Sequence, residues 1–447
     1  MADKDLTENP LRELARRFFI TFLLGVVIYR IGVYVPIPGV NAEVLKGIVT
    51  GGSAGDRSAL ADILRYADMF NGGAISQASI FGLGITPYIS ASIIFQLLTF
   101  SIPALKALQK EGEGGRRRIN QYTRYATLGI ALVQSAIASF ALSNFTNNGQ
   151  VLVDSVSRPL FIAQSILVIT TGSMVILWIS EQITKFGIGN GVSVVIMISI
   201  LAYMPTAVSG LGNELPPYLW VAIMCLSMTA GIVFVVQAIR KVNLEQQRRV
   251  QGNKVYGGAQ TTLPLKLNQA NVIPVIFASP VIVALAYVAG GLDKYTGFGL
   301  DQLVSYGSVG YRYIFASLII AFTYFYVSIT FDLNDMSNHF KQSGFFIRGI
   351  KPGKGTVDYL QTIVQRLTFV GAIFLAAIAI IPDVLGSISH LGLGQGAQVL
   401  LGGTGLLIVV GVTLDVMQKV SAFLLARQYN LGDNGAMSAG KKGGKRF

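Results

Sequence analysis

The chain has 447 residues, 52% of them hydrophobic and only 13% charged, where soluble domains carry about 25% charged residues, and its mean hydropathy is +0.57. These proportions exclude a soluble globular domain and define a polytopic membrane protein. The single cysteine, Cys225, excludes an intramolecular disulfide and a thiolate metal cluster. His339 and His390 have no partner at metal-ligand spacing, and neither a Gly-rich phosphate motif nor a nucleophile elbow is present, so no catalytic, metal or cofactor site is expected.

Residues 1–17 form a charged amino tail, and the apolar run after it, Phe18 to Pro36, has no small-residue cleavage pattern, so it is expected to remain as the first span. Further apolar runs fall at 75–99, 122–142, 159–179, 191–208, 218–239, 272–291, 311–331, 367–385 and 400–420, which makes ten spans. The expected fold class is an all-α membrane protein with an amino-terminal half at 18–208, a carboxyl-terminal half at 209–425 and a tail at 426–447.

Charge assigns the sides. The amino tail, the loops near 100–121, 180–190, 240–271 and 332–366, and the carboxyl tail, with Arg124 at the start of the third span and Lys419 at the end of the tenth, hold 28 of the 35 Lys and Arg and 12 of the 22 acids, a net +16. The opposite side holds six cations and nine acids, a net −3. The positive-inside rule puts both termini in the cytoplasm, which an even number of spans also requires. Spans 1–5 and 6–10 then enter from opposite sides, as in an inverted repeat.

The stretch Leu60 to Thr99 departs from a plain span. A short segment with Asp62, Arg65 and Asp68 precedes a bend at Asn71-Gly72-Gly73, and about 25 largely uncharged residues follow, enough to cross a bilayer. The second span of each half carries an isoleucine-proline element, Ile85-Thr86-Pro87 and Ile273-Pro274.

The cytoplasmic loops are strongly basic. Lys110 to Arg118 concentrates charge at the membrane surface, where topology alone accounts for part of it. Arg248-Arg249-Val250-Gln251-Gly252-Asn253-Lys254-Val255-Tyr256 reads as a hairpin around a Gly-Asn turn, and Gly344 to Gly355 adds Arg348, Lys351 and Lys354. Two basic projections fit a large acidic partner, and a ribosomal RNA backbone meets that description. Gly435 to Phe447, rich in Gly and Lys, is expected to be disordered.

The spans hold almost no ionised groups away from their ends; Arg30 and Asp415 are the exceptions, and each reads as a structural pairing. A conduit with an apolar constriction and a secondary solute transporter with inverted repeats both remain open. An enzyme is the weakest reading, because no acid–base or nucleophile cluster exists.

The chain resembles the bacterial SecY family, the pore-forming subunits of the Sec protein translocon. The resemblance rests on Tyr34 to Val40, on Asn71-Gly72-Gly73-Ala74 with Gly84 to Ile93, and on Gln121 to Tyr125. It extends through Glu181 to Thr184 with Gly187 to Gly191, Leu263 to Lys266, Val272 to Ala278 and Gly402 to Ile408. It implies ten helices in two inverted halves around an hourglass pore that opens sideways to lipid between the second and seventh spans. The implied constriction ring is Ile85, Ile89, Ile196, Ile276 and Ile408, apolar enough to exclude hydrated ions and soft enough to wrap an extended polypeptide.

By the same resemblance, 61–70 is a plug with its hinge at 71–73, and Pro87, Ser90, Pro274 and Ala284 mark the lateral gate, whose prolines are expected to bend the helices that part. Arg248, Arg249, Lys254, Arg348, Lys351 and Lys354 are expected to dock the SecA motor or the ribosome. The implied partners are SecE, SecG, SecA, the ribosome, signal sequences, translocating polypeptides and membrane lipid, with no cofactor and no DNA. Some positions depart from the family pattern. Lys351 stands where arginine is usual, Arg348 where proline is common and Pro280 where serine is usual, and Arg240 to Gln247 lacks the usual arginine pair, proline and tyrosine. Lysine keeps the charge and loses the planar fork.

Overall fold

The computed structural model describes residues 10–43, 45–46, 68–144, 157–209, 215–246, 249–251, 254–256, 260–296, 308–388 and 403–442. Its helices are α1 (Pro10–Phe22), a π-helical stretch (Leu23–Ile28) and α2 (Tyr29–Val33), then α3 (Thr86–Ser101), α4 (Pro103–Lys110), α5 (Glu113–Asn144), α6 (Arg158–Phe186), α7 (Gly191–Ser209) and α8 (Leu215–Gln237). They continue as α9 (Ile273–Thr296), α10 (Val309–Thr330), α11 (Leu333–Ser343), α12 (Lys354–Ile388) and α13 (Gly403–Lys442). Each of the ten expected apolar runs overlaps one of these helices. Among the described residues, five helices are long and apolar enough to cross a membrane, and six if α3 and α4, bent by 99° to each other, are taken as one broken span.

The chain packs as two units. The first holds α1, α2, α3 to Phe95, α5, α6, α7 to Pro205, and α13 from Val412. The second holds Gln96–Lys110, α8 to α12 and α13 to Gly411.

In the first unit, α5 and α6 pack through small polar residues that let their backbones approach. Ser135 and Thr170 share a hydrogen bond of 2.9 Å, and Ser139 and Ser165 are fully buried. Arg124 of α5 grips Glu181 of α6 at both oxygens, with Nε to Oε1 2.5 Å and Nη2 to Oε2 2.6 Å. The turn from α6 into α7 is tight. Gly191 N–H donates to Thr184 Oγ1 at 2.9 Å, and a Cβ on Gly191 would lie 1.8 Å from the Ser180 carbonyl oxygen.

The second unit carries the β-strands. Strand β1 (Ile239–Gln246) pairs antiparallel with β4 (Gln260–Lys266), from Ile239 opposite Lys266 to Glu245 opposite Gln260. The strands of the expected hairpin are present as β2 (Arg249–Gln251) and β3 (Lys254–Tyr256), paired with Gln251 opposite Lys254; Gly252 and Asn253 lie outside the described residues. The 332–366 loop does not stand alone. Its strand β5 (Phe345–Phe346) adds to the other edge of β1, and Val242, Leu244, Leu265, Ile347, Leu360 and Ile363 form one buried core beneath. The Asp332 carboxylate caps α11 by accepting from Asn334 and Asp335 N–H at 3.2 Å, and Gly344 ends it at φ 70.

Two expectations are corrected here. The second span is not helical over 75–99. Residues 71–85 are consecutive turns and the helix begins at Thr86, because the backbone takes left-handed φ at Gly72, Gly73, Ala78 and Gly84, which no helix accommodates. The tail is helical further than its glycines suggest. Helix α13 reaches Lys442, through alanine and methionine that favour helix; residues 443–447 lie outside the described residues.

Candidate functional site

The turn run between Asp68 and Ile85 is densely hydrogen-bonded, and buried backbone outside a helix demands such pairing. Asp68, 1% exposed, accepts at Oδ1 from Ile75 N–H at 2.8 Å and Ser76 N–H at 3.0 Å. Burial raises its carboxyl above the ordinary range, while the bonds from Ser76 and Ile75 act in the opposite direction. The Asn71 amide donates to the Gly82 carbonyl at 2.8 Å and lies so close to Gly84 that a Cβ there would be 2.1 Å from its oxygen.

The run is also fastened to its neighbours. The Tyr29 hydroxyl donates to the Asn71 carbonyl at 2.9 Å and accepts from Ser199 Oγ of α7 at 2.7 Å. Ser79 Oγ donates to the Gly32 carbonyl at 2.9 Å, Ile37 N–H to Ala78 at 2.7 Å and Ile80 N–H to Val35 at 3.0 Å. Phe81 stacks on Tyr29 with ring centroids 5.9 Å apart, and Gly172 of α6 presses on the Ile80 carbonyl. Asn71-Gly72-Gly73, expected as a hinge, is therefore a pinned turn in this conformation: its glycines supply φ values of 67° and 84°, and its polar groups are committed to partners. Asp62 and Arg65 lie outside the described residues.

The five isoleucines expected to form the ring distribute over both units. In the first, Ile85 (7% exposed) ends the turn run, with its carbonyl accepting from Tyr88 and Ile89 N–H at 3.1 Å. Ile89 is half-buried one turn into α3, and Ile196 (3%) is on α7. In the second, Ile276 is half-buried in the first turn of α9, and Ile408 (0%) lies on α13. Gly411 of α13 meets Val272, just before α9, where a Cβ would be 2.3 Å from Val272 Cγ2.

Pro87 and Pro274, expected to bend the helices of a lateral gate, are placed differently from expectation. Pro87 and Pro274 are second residues of α3 and α9, where a missing N–H costs no helical bond and the fixed φ favours starting the helix. They start these helices and do not bend them. Pro280 is the proline inside α9; it removes the N–H that would bond the Ile276 carbonyl. Ser90 is half-buried on α3, and the side chain of Ala284 lies outside the described residues.

Among the docking candidates, Arg249 and Lys254 are on the β2–β3 hairpin, and Arg248 lies outside the described residues. Arg348, 86% exposed, is 3.9 Å from Glu245, a separation at which an exposed pair contributes little. Lys351 and Lys354 are exposed. Inside the spans, Arg30 stacks on Tyr34 (5.1 Å to the ring centroid) and Asp415 pairs with Lys419 at 2.9 Å, the structural roles expected of them.

Sequence reasoning missed Tyr29, Ser199 and the Arg124–Glu181 pair as connected groups. Their partners are 42, 170 and 57 residues away, and nothing local in the sequence marks them.

This fold is that of a protein-conducting channel. A solved structure of such a channel has a TM-score of 0.63 to the chain at 18% identity, covering 93% of each, and the Sec61 channel of the canine ribosome–channel complex from the endoplasmic reticulum has a TM-score of 0.58 at 18% identity, again covering 93% of each. The SecY family model matches residues 79–417, and the protein translocase subunit SecY of Thermotoga maritima is 37% identical over 440 residues, 97% of both chains. The chain belongs to the SecY family.

Proposed function

We propose that the chain is the pore-forming subunit of a protein translocase, moving unfolded secretory polypeptides across the membrane and releasing hydrophobic segments sideways into it. The observation that carries this reading is the resemblance to translocase subunits along nearly the entire chain. The secondary-transporter reading has no comparable support.

Ile85, Ile89, Ile196, Ile276 and Ile408 form the constriction, which seals without binding cargo because apolar side chains offer hydrated ions no replacement ligands. Residues 61–70 are the plug, and the two halves are 18–208 and 209–425. The faces of α3 and α9 carrying Ser90 and Ala284 are the lateral gate, where a signal sequence exchanges helix contacts for lipid. The membrane is the bacterial cytoplasmic membrane, with both termini on the cytoplasmic side, as the charge asymmetry of the loops favours. SecE and SecG accompany the chain, and SecA or the ribosome supplies the driving force from the side bearing Arg248, Arg249, Lys254, Arg348, Lys351 and Lys354. Hydrolysis of ATP is left to the motor.

The test is export in cells depleted of their own pore subunit, together with affinity purification of this chain from its native membrane. Restored export of a signal-bearing precursor and co-purification of SecE are expected. A chain that purifies without SecE and leaves the precursor in the cytoplasm contradicts the reading.

A further inference from the structure

We infer that Tyr29 is a positioning residue: its buried hydroxyl holds the turn run, and Ile85 at the end of it, in fixed register with Ile196 on α7. The inference rests on the assignment of both isoleucines to the constriction.

Tyr29 is 1% exposed and follows directly on the π-helical stretch. A π turn rotates all later residues relative to a continuous α-helix, and here the outcome is that Tyr29, Gly32 and Val33 are buried together. A phenol placed so deeply must find partners for its hydroxyl. It finds two that are 42 and 170 residues away and joins them: Ser199 donates to Tyr29, and Tyr29 donates to the Asn71 carbonyl. Such a relay is stronger than its separate bonds, because each donor is polarised by the bond it accepts.

Each end of the relay leads to a ring isoleucine. Ser199 and Ile196 are three residues apart on α7 and so share a face. At the other end Asn71 holds Gly82 by its amide and fills the space beside Gly84, the residue before Ile85. No slack exists between turn and helix, since a Cβ on Gly72 would sit 3.1 Å from the Ser199 carbonyl oxygen and 3.2 Å from its Cα. Moving Ile85 away from Ile196 therefore requires that the relay break or that α7 travel with the turn run. The aromatic ring alone does not supply this link. Its stacking on Phe81 would survive loss of the hydroxyl, whereas the tie between Asn71 and Ser199 would not.

The complete translocon complex, reconstituted in planar bilayers without substrate, tests this by its resting ion conductance. Tyr29→Phe keeps the ring and removes the relay. It is expected to raise conductance roughly two- to tenfold, the range spanned by loss of a buried hydrogen bond, and to speed amide hydrogen exchange at residues 72–84. Ser199→Ala should act in the same direction, and the double variant should conduct no more than Tyr29→Phe, because one link has been cut twice. Ile85→Gly and Ile196→Gly are measured beside them. If the glycine variants leak and Tyr29→Phe and Ser199→Ala do not, the positioning role is overturned and the ring stands. If the glycine variants are also tight, the ring assignment falls and the inference with it. Should Tyr29→Phe fail to assemble, Ser199→Ala decides the matter alone, because it cuts the same link while leaving the Tyr29 ring and its bond to Asn71 in place.

Discussion

Replacing Gly172 with alanine tests whether the turn run is packed rigidly against α6. A Cβ built on Gly172 lies 2.1 Å from the Ile80 carbonyl oxygen, and real Cβ atoms essentially never approach closer than 3.0 Å, so α6 or the run must move by at least 0.9 Å. The obstacle is backbone, and it is held from its other side by the bond of Ile80 N–H to the Val35 carbonyl at 3.0 Å, so it cannot swing away as a side-chain tip would. Overpacking of this kind costs about 1–3 kcal/mol. Gly129 on α5 is the matched control, because a Cβ there has nothing within 4 Å, and alanine in an open helical position gains up to ~1 kcal/mol. Thermal unfolding of the purified protein in detergent, followed by near-ultraviolet circular dichroism, should show Gly172→Ala melting well below wild type and Gly129→Ala at or above it. Equal melting temperatures for the two variants would refute the packing described here.

Other substitutions probe separate parts of the molecule. Arg124→Lys keeps the charge and loses the fork that grips both Glu181 oxygens; with the two side chains 43% and 26% exposed, the expected cost is about 1 kcal/mol, read by a double-mutant cycle with Glu181→Gln. A cycle showing no coupling would mean that the pair contributes nothing. Lys351→Glu inverts an exposed charge near the β4–β1–β5 sheet and should slow SecA-driven export by roughly two- to fivefold, the scale of one rim charge, without changing resting conductance. An unaltered export rate would place the motor's contact elsewhere.

The ten apolar runs were legible because hydropathy reports what a segment is buried in. It says nothing about backbone shape, and so the same reading took 75–99 for a helix. The breaks at Gly72, Gly73, Ala78 and Gly84 depend on φ values stabilised by Tyr29, Val35 and Gly32 from the first span, and such partners are invisible in a local window. The β2–β3 hairpin was legible for the opposite reason, since its Gly-Asn turn is a local signal. Addition of β5 to β1, about a hundred residues away, was not. Pro87 and Pro274 illustrate a third limit: the residue type was noted correctly, but whether a proline bends a helix or begins it depends on a boundary that hydropathy does not locate.

The apolar seal is the centre of this account, and resting ion conductance of the reconstituted translocon with Ile89→Gly and Ile276→Gly tests it most directly. One substitution lies on α3 and the other on α9, so each removes ring volume from a different unit. The account predicts that either raises ion leak and that the pair raises it further. Conductance indistinguishable from wild type in the double variant would contradict it.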